Sequence, residues 1–112
     1  MSDFRKLIVW QKSMLLTRLI YVFSGNLSAD EKFGLTSQVR RCAVSIPSNI
    51  AEGSKRKTKK DFIQFLRISS GSLAELETQL LLIEDIYKIK DENINLLVKE
   101  IQRMLESLIK KL

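Results

Sequence analysis

The chain has 112 residues, 45% of them hydrophobic, with one proline, four glycines, one cysteine, no histidine and a formal net charge of +6. That describes a single domain with one modest core, too apolar for disorder and too poor in turn residues for an all-β fold. The missing histidine removes the commonest general base and metal ligand, and a lone cysteine rules out an intrachain disulfide or a thiolate cage.

The N-terminal "MSDFRKLIVWQKS" does not read as a signal peptide, because Lys6 and Lys12 flank its short apolar run. No apolar stretch is long enough to span a bilayer, so the expected compartment is the cytoplasm. From about residue 5, Val9, Ser13, Leu16, Ile20 and Phe23 step by four and three, which predicts a first helix to Ser24. Met14, Leu15, Leu19 and Val22 widen its apolar stripe, and Gly25-Asn26 supplies a stop. Ser28 and Glu31 have capping-box spacing for a short turn, interrupted at Gly34. A second helix over about 35–54 follows, with Leu35, Val39, Cys42, Ile46 and Ile50 as its seam. Pro47 sits inside that pattern and removes the bond to the Ala43 carbonyl, so a kink is expected, with Ser45 or Ser48 covering the freed backbone.

Thr58 and Asp61 are spaced as a cap and its partner for a third helix over about 59–89. Phe62, Leu66, Ser69, Leu73, Leu76, Leu80, Ile83 and Tyr87 give it the cleanest periodicity in the chain. Its slim "SSGS" run (69–72) is expected to let the "SIPSN" stretch of the second helix approach closely, with Pro47, Gly71 and Ser72 at the contact. Asp91 then caps a fourth helix over about 92–111, lined by Ile94, Leu97, Ile101, Met104, Leu105, Leu108 and Leu112. Four amphipathic segments with short connections predict an all-α, antiparallel up-down-up-down four-helix bundle occupying residues 1–112. The additional apolar residues Phe65, Ile68, Leu81 and Leu82 exceed what one bundle covers, so a homo-oligomer is expected.

Charge is uneven: residues 1–60 hold 12 Lys/Arg against 4 Asp/Glu, and residues 61–112 hold 7 against 9. The densest run is Lys55, Arg56, Lys57, Lys59 and Lys60, between the second and third helices. The first three complement the C-terminal dipole of the second helix. Lys59 and Lys60 fall where cations are mildly unfavourable, which points to an anionic partner. The run lacks aromatic residues, so it neutralises phosphate without reading bases, and a solvated turn is the competing reading. Arg40 and Arg41 are the next basic candidates. Asn49 and Glu52, three apart, share a side of the second helix, and Glu75 lies beside the third-helix seam. They read as a buried or interfacial polar network with Arg40 and Arg41 as counter-charge, or else as a ligand site.

The stretches "VWQKS", "GLTSQVRR", "SIPSNIAEG" and "GSLAELETQL", in this order and spread over nearly the whole chain, resemble the bacterial protein family encoded by intervening sequences of 23S ribosomal RNA genes. The resemblance implies a four-helix bundle that assembles as a homopentamer. A related branch, the accessory protein of diversity-generating retroelements, implies contact with nucleic acid and with another protein. Catalysis is not expected: a di-iron bundle needs Glu-x-x-His pairs, and nothing places a base beside Ser72 or Cys42. No metal and no cofactor are expected. The sequence therefore predicts a non-enzymatic oligomer that binds RNA or DNA by charge, or alternatively an adaptor for a protein partner. A membrane surface is not an expected partner, because the basic residues do not sit opposite an exposed apolar face.

Overall fold

The computed structural model describes residues 3–112, and its core is built where the helical periodicity places it. Helix α1 is Ile8–Ser24, α2 Leu35–Ser54, α3 Lys59–Tyr87 and α4 Glu92–Lys111, with short 3-10 turns at Phe4–Lys6 and Ala29–Glu31. The seam residues Leu16, Ile20, Val39, Ile46, Ile50, Leu66, Leu73, Leu76, Ile83, Ile101 and Leu105 have no exposed surface. Each helix packs on its neighbours in sequence, and α4 closes the square against α1. Cross-helix pairs run in opposite sequence directions: Thr17 with Ala43 and Arg40 with Ser24 on α1–α2, Gln79 with Cys42 and Ser69 with Ile46 on α2–α3. That is the register of antiparallel neighbours. The bundle measures 43 × 23 × 19 Å, so the 29 residues of α3 span its whole length.

The helix ends have local causes. Helix α1 starts at Ile8 instead of about residue 5, because Asp3 caps a 3-10 turn and Leu7 is extended. Helix α3 stops at Tyr87, where Lys88 enters the left-handed region (φ 59°), two residues before the expected end. Thr58 and Asp91 cap α3 and α4 through the amides of Asp61 and Ile94, as their spacing predicts. Ser28 accepts from Asp30, but Glu31 does not complete the box. Its carboxylate instead accepts from the amide of Leu35, at the start of α2, and from the hydroxyl of Tyr87 at the end of α3. Gly34 makes room for this, since a Cβ there would stand 2.6 Å from the Glu31 carboxylate.

Helix α2 runs unbroken through Pro47. The Ala43 carbonyl that Pro47 leaves without its helical donor takes the hydroxyl of Thr17 on α1, at 3.0 Å. Ser45 and Ser48 bond to the carbonyls of Cys42 and Val44 and do not cover it. The expected close approach of α2 and α3 is real at Ser69, whose hydroxyl donates to the Ile46 carbonyl at 2.9 Å. It does not involve Gly71, which is exposed and would let a Cβ meet nothing within 4 Å; Ser72 is half-buried. The tight glycine is Gly53, where a Cβ would lie 2.5 Å from Phe65 Cβ and 3.1 Å from Phe62 Cδ1.

Candidate nucleic-acid interface

The α2–α3 turn projects from one end of the bundle, and every residue from Lys55 to Asp61 is exposed. Helix α2 ends there because Lys55 and Arg56 fold their amides back onto Glu52 and Gly53. Arg56 is held: it pairs with Glu52 at 2.8 Å, one turn earlier, and lies 4.8 Å over the Phe65 ring. Such an exposed pair contributes only about 0.3–0.5 kcal/mol, so it orients the guanidinium more than it stabilises the fold. Lys55 leans over Phe4, 5.9 Å from the ring centroid. Lys57, Lys59 and Lys60 form no ion pair among the described residues.

Lys55 thus connects the turn to the N-terminal segment, which brings Arg5 and Lys6 to the same end. The last turn of α4 is there as well: Lys110 shares a groove with Arg67 of α3, and Lys111 one with Leu7 and Ile8. Residues 3–7, 52–61 and 106–112 together carry nine basic and four acidic side chains. The opposite end, residues 25–34 and 84–92, carries three basic and six acidic. The bundle is therefore polarised in charge along its long axis. Sequence reasoning found the turn but missed Arg5, Lys6, Lys110 and Lys111. The signal was available, because an up-down-up-down bundle must put its first N-terminus and last C-terminus at the end that holds the α2–α3 turn.

Arg40 and Arg41 do not join this cluster. Arg40 is half-buried near the other end, donating to Ser24 Oγ (2.8 Å) and the Tyr21 carbonyl (3.2 Å) with its guanidinium 4.7 Å over the Tyr21 ring. It closes the end of α1 and is taken up structurally. Arg41 is exposed beside Cys42. The expected polar network is not assembled within one chain: Asn49 bonds to its own helix at the Ser45 carbonyl, Glu52 to Arg56, and Glu75 is exposed with no ion pair among the described residues. Cys42 is buried, and that burial pushes its thiol pKa up; the hydrogen bond from Gln79 (3.4 Å) opposes the rise and the Glu75 charge adds to it. A protonated, enclosed thiol is a core group, not a nucleophile.

Among the described residues no group of three His, Cys, Asp or Glu could hold a metal ion, and no helix is long and apolar enough to cross a membrane. What the basic end can do chemically is neutralise phosphates. It has charge but no exposed aromatic platform, since Phe4 and Phe65 are half-buried beneath their cations.

The sequence profile of the family described as "23S rRNA-intervening sequence protein" matches residues 5–110. The fold is similar to the crystal structure of a protein of unknown function from the S23 ribosomal protein family of Bacteroides thetaiotaomicron. That similarity has a TM-score of 0.83 at 31% identity and covers 92% of this chain and 96% of the other. No curated protein matches the chain.

Proposed function

The chain belongs to the 23S rRNA-intervening sequence protein family, and on that premise we propose that it is a non-enzymatic homo-oligomer, a pentamer on the family resemblance, that holds RNA or DNA through phosphate contacts at its basic end. The observation that carries this reading is the convergence of three separate chain segments, with nine basic against four acidic side chains, on one end of a bundle. Oligomerisation is supported by the apolar surface left over: Val22 is 70% exposed, Leu81 61%, Leu96 58%, Ile86 56% and Ile8 54%. A cyclic assembly sets several basic ends side by side, and multivalency turns weak phosphate contacts into useful affinity. The proposed compartment is the cytoplasm, where ribosomal RNA is available.

The test is affinity for a ribosomal RNA fragment and an unrelated DNA duplex across a salt series, with native mass measured in parallel. Replacing Lys55, Arg56, Lys57, Lys59 and Lys60 by glutamine should weaken binding to both. It should also flatten the slope of log affinity against log salt by about 0.7–0.9 for each phosphate that is no longer neutralised. Sequence preference should barely move, since nothing at this end reads base edges. Wild-type affinity and slope in this variant would refute the assignment to the turn. An adaptor function is the second reading, favoured by Phe33, which stands 89% exposed near the less basic end beneath Lys32. Its test is co-purification of a protein that Phe33→Ser releases.

A further inference from the structure

Two exposed stripes on this bundle share an apolar character and carry opposite charges. On α1, Ile8, Leu15 and Val22 recur every seven residues and are 54%, 39% and 70% exposed. Arg18 stands between the last two, exposed and without an ion pair among the described residues. On α3, Ile68, Leu82 and Ile86 are 43%, 45% and 56% exposed, and Glu75 stands midway between Ile68 and Leu82, exposed and in no ion pair among the described residues. A seven-residue spacing keeps side chains within about 20° of one another on a helix, and Ile86 returns to the face of Ile68 after about five whole turns, so each set is one continuous strip. At 1.5 Å per residue the strips are roughly 21 and 27 Å long.

The two charges also share a height on the bundle. Thr17, adjacent to Arg18, donates to the carbonyl of Ala43. Gln79, one turn after Glu75, donates to the thiol of Cys42. Both charges are therefore level with the middle of α2. In a ring whose bundle axes lie parallel to the ring axis, every residue keeps its height from one copy to the next. Helices α1 and α3 occupy different corners of the square, so a contact between them is heterologous, and each chain has one of each strip to offer.

We infer that the occupant of the α3 strip is the α1 strip of a second copy of this chain, with Arg18 of one copy meeting Glu75 of the next inside an apolar seam. The inference rests on the oligomeric reading above and names its interface. Within the seam an unpaired charge would be desolvated without compensation, which makes the pair a register device as well as an attraction.

The experiment is a charge reversal and its reciprocal rescue, read by sedimentation and native mass spectrometry, with far-UV circular dichroism confirming that each variant stays helical. Arg18→Glu alone and Glu75→Arg alone should each reduce the wild-type mass toward a single chain. The double variant should restore it. Should a reversed variant misfold, Arg18→Cys with Glu75→Cys in a Cys42→Ser background, treated with a short bis-maleimide, should give a ladder of linked chains. Single variants that keep the oligomer, a double variant that does not regain it, or the absence of a ladder overturns the pairing while leaving the oligomer standing. A wild-type protein that runs as one chain overturns the oligomer and the pairing with it.

Discussion

Gly53→Ala sets two effects of opposite sign against each other. Gly53 is inside the last turn of α2, where alanine is favoured over glycine by about 1 kcal/mol in helix propensity. The added Cβ, however, would stand 2.5 Å from Phe65 Cβ and 3.3 Å from Phe65 Cγ, with Phe62 Cδ1 at 3.1 Å. A Cβ cannot be turned away by a rotamer change, and Phe62 is 1% exposed, so relief requires α2 and α3 to separate. Overpacking of this kind costs about 1–3 kcal/mol, and the rigidity of both partners puts this case near the upper end. The net is a loss of about 2 kcal/mol. Unfolding entropy is about 2.1 cal/mol/K per residue, which makes 1 kcal/mol worth roughly 4 °C in a chain of this length, so the melting temperature should fall by roughly 8 °C. The assay is thermal unfolding followed by circular dichroism at equal chain concentration, because self-association of any protein makes its melting concentration-dependent. A variant that melts at or above the wild-type temperature would show that propensity wins and that the contact yields.

Thr17→Val removes the donor to the Ala43 carbonyl and should cost about 1–2 kcal/mol; in a Pro47→Ala background, where the amide of residue 47 can serve that carbonyl, the cost should shrink, and a double-mutant cycle in urea with no coupling would refute the link. The hydrogen bonds from Tyr87 and from the amide of Leu35 lower the Glu31 pKa in the folded protein, so their stabilisation is complete above the ordinary glutamate value and is lost as pH falls through the depressed one. The urea midpoint of the wild type should therefore drop on acidification more than that of Glu31→Gln, and parallel curves would contradict this. The bond to Glu31 raises the Tyr87 pKa, so its contribution is present below the ordinary tyrosine value and disappears as pH rises through the raised one; Tyr87→Phe should flatten the alkaline limb. Gly71→Leu should leave the helicity of the protomer unchanged but reduce native mass, because within one chain the new side chain meets nothing while it protrudes beside Ile68 and Glu75; an unchanged mass would refute this.

Periodicity carried most of the fold. The seams of all four helices could be read because burial in a bundle repeats with the helix turn, so Leu16, Ile46, Leu73 and Ile101 identify themselves by spacing. The caps at Thr58 and Asp91 are local and equally readable. Contacts between helices were not. "SSGS" holds a glycine and looks slim, yet which of its four residues faces α2 depends on the rotation of α3, and it is Ser69 that turns inward. Gly53 gave no such sign, since nothing near it in sequence says that Phe65 will lie across it. Glu31 had capping-box spacing, but its partners Leu35 and Tyr87 are set by the path of the chain through Gly34. For the candidate site, composition disclosed the basic turn, whereas the contribution of the two chain ends required the topology. Asn49 and Glu52 stand three apart on α2, but Asn49 reaches the Ser45 carbonyl and Glu52 reaches Arg56, so a network with Glu75 is not closed within one chain.

The separation of charge along the long axis gives the folded chain a permanent electric dipole, with its positive pole at the α2–α3 turn and a separation set by the 43 Å length. A net charge of +6 understates how such a molecule meets a polyanion. In the field of a phosphate backbone it turns end-on before contact, and that torque acts only within about a Debye length, about 8 Å at physiological salt. Added salt should therefore slow capture more than it hastens release. On a cation-exchange column the protein should elute later than a protein of equal size and charge whose lysines are evenly distributed, because it can present its positive pole to the resin.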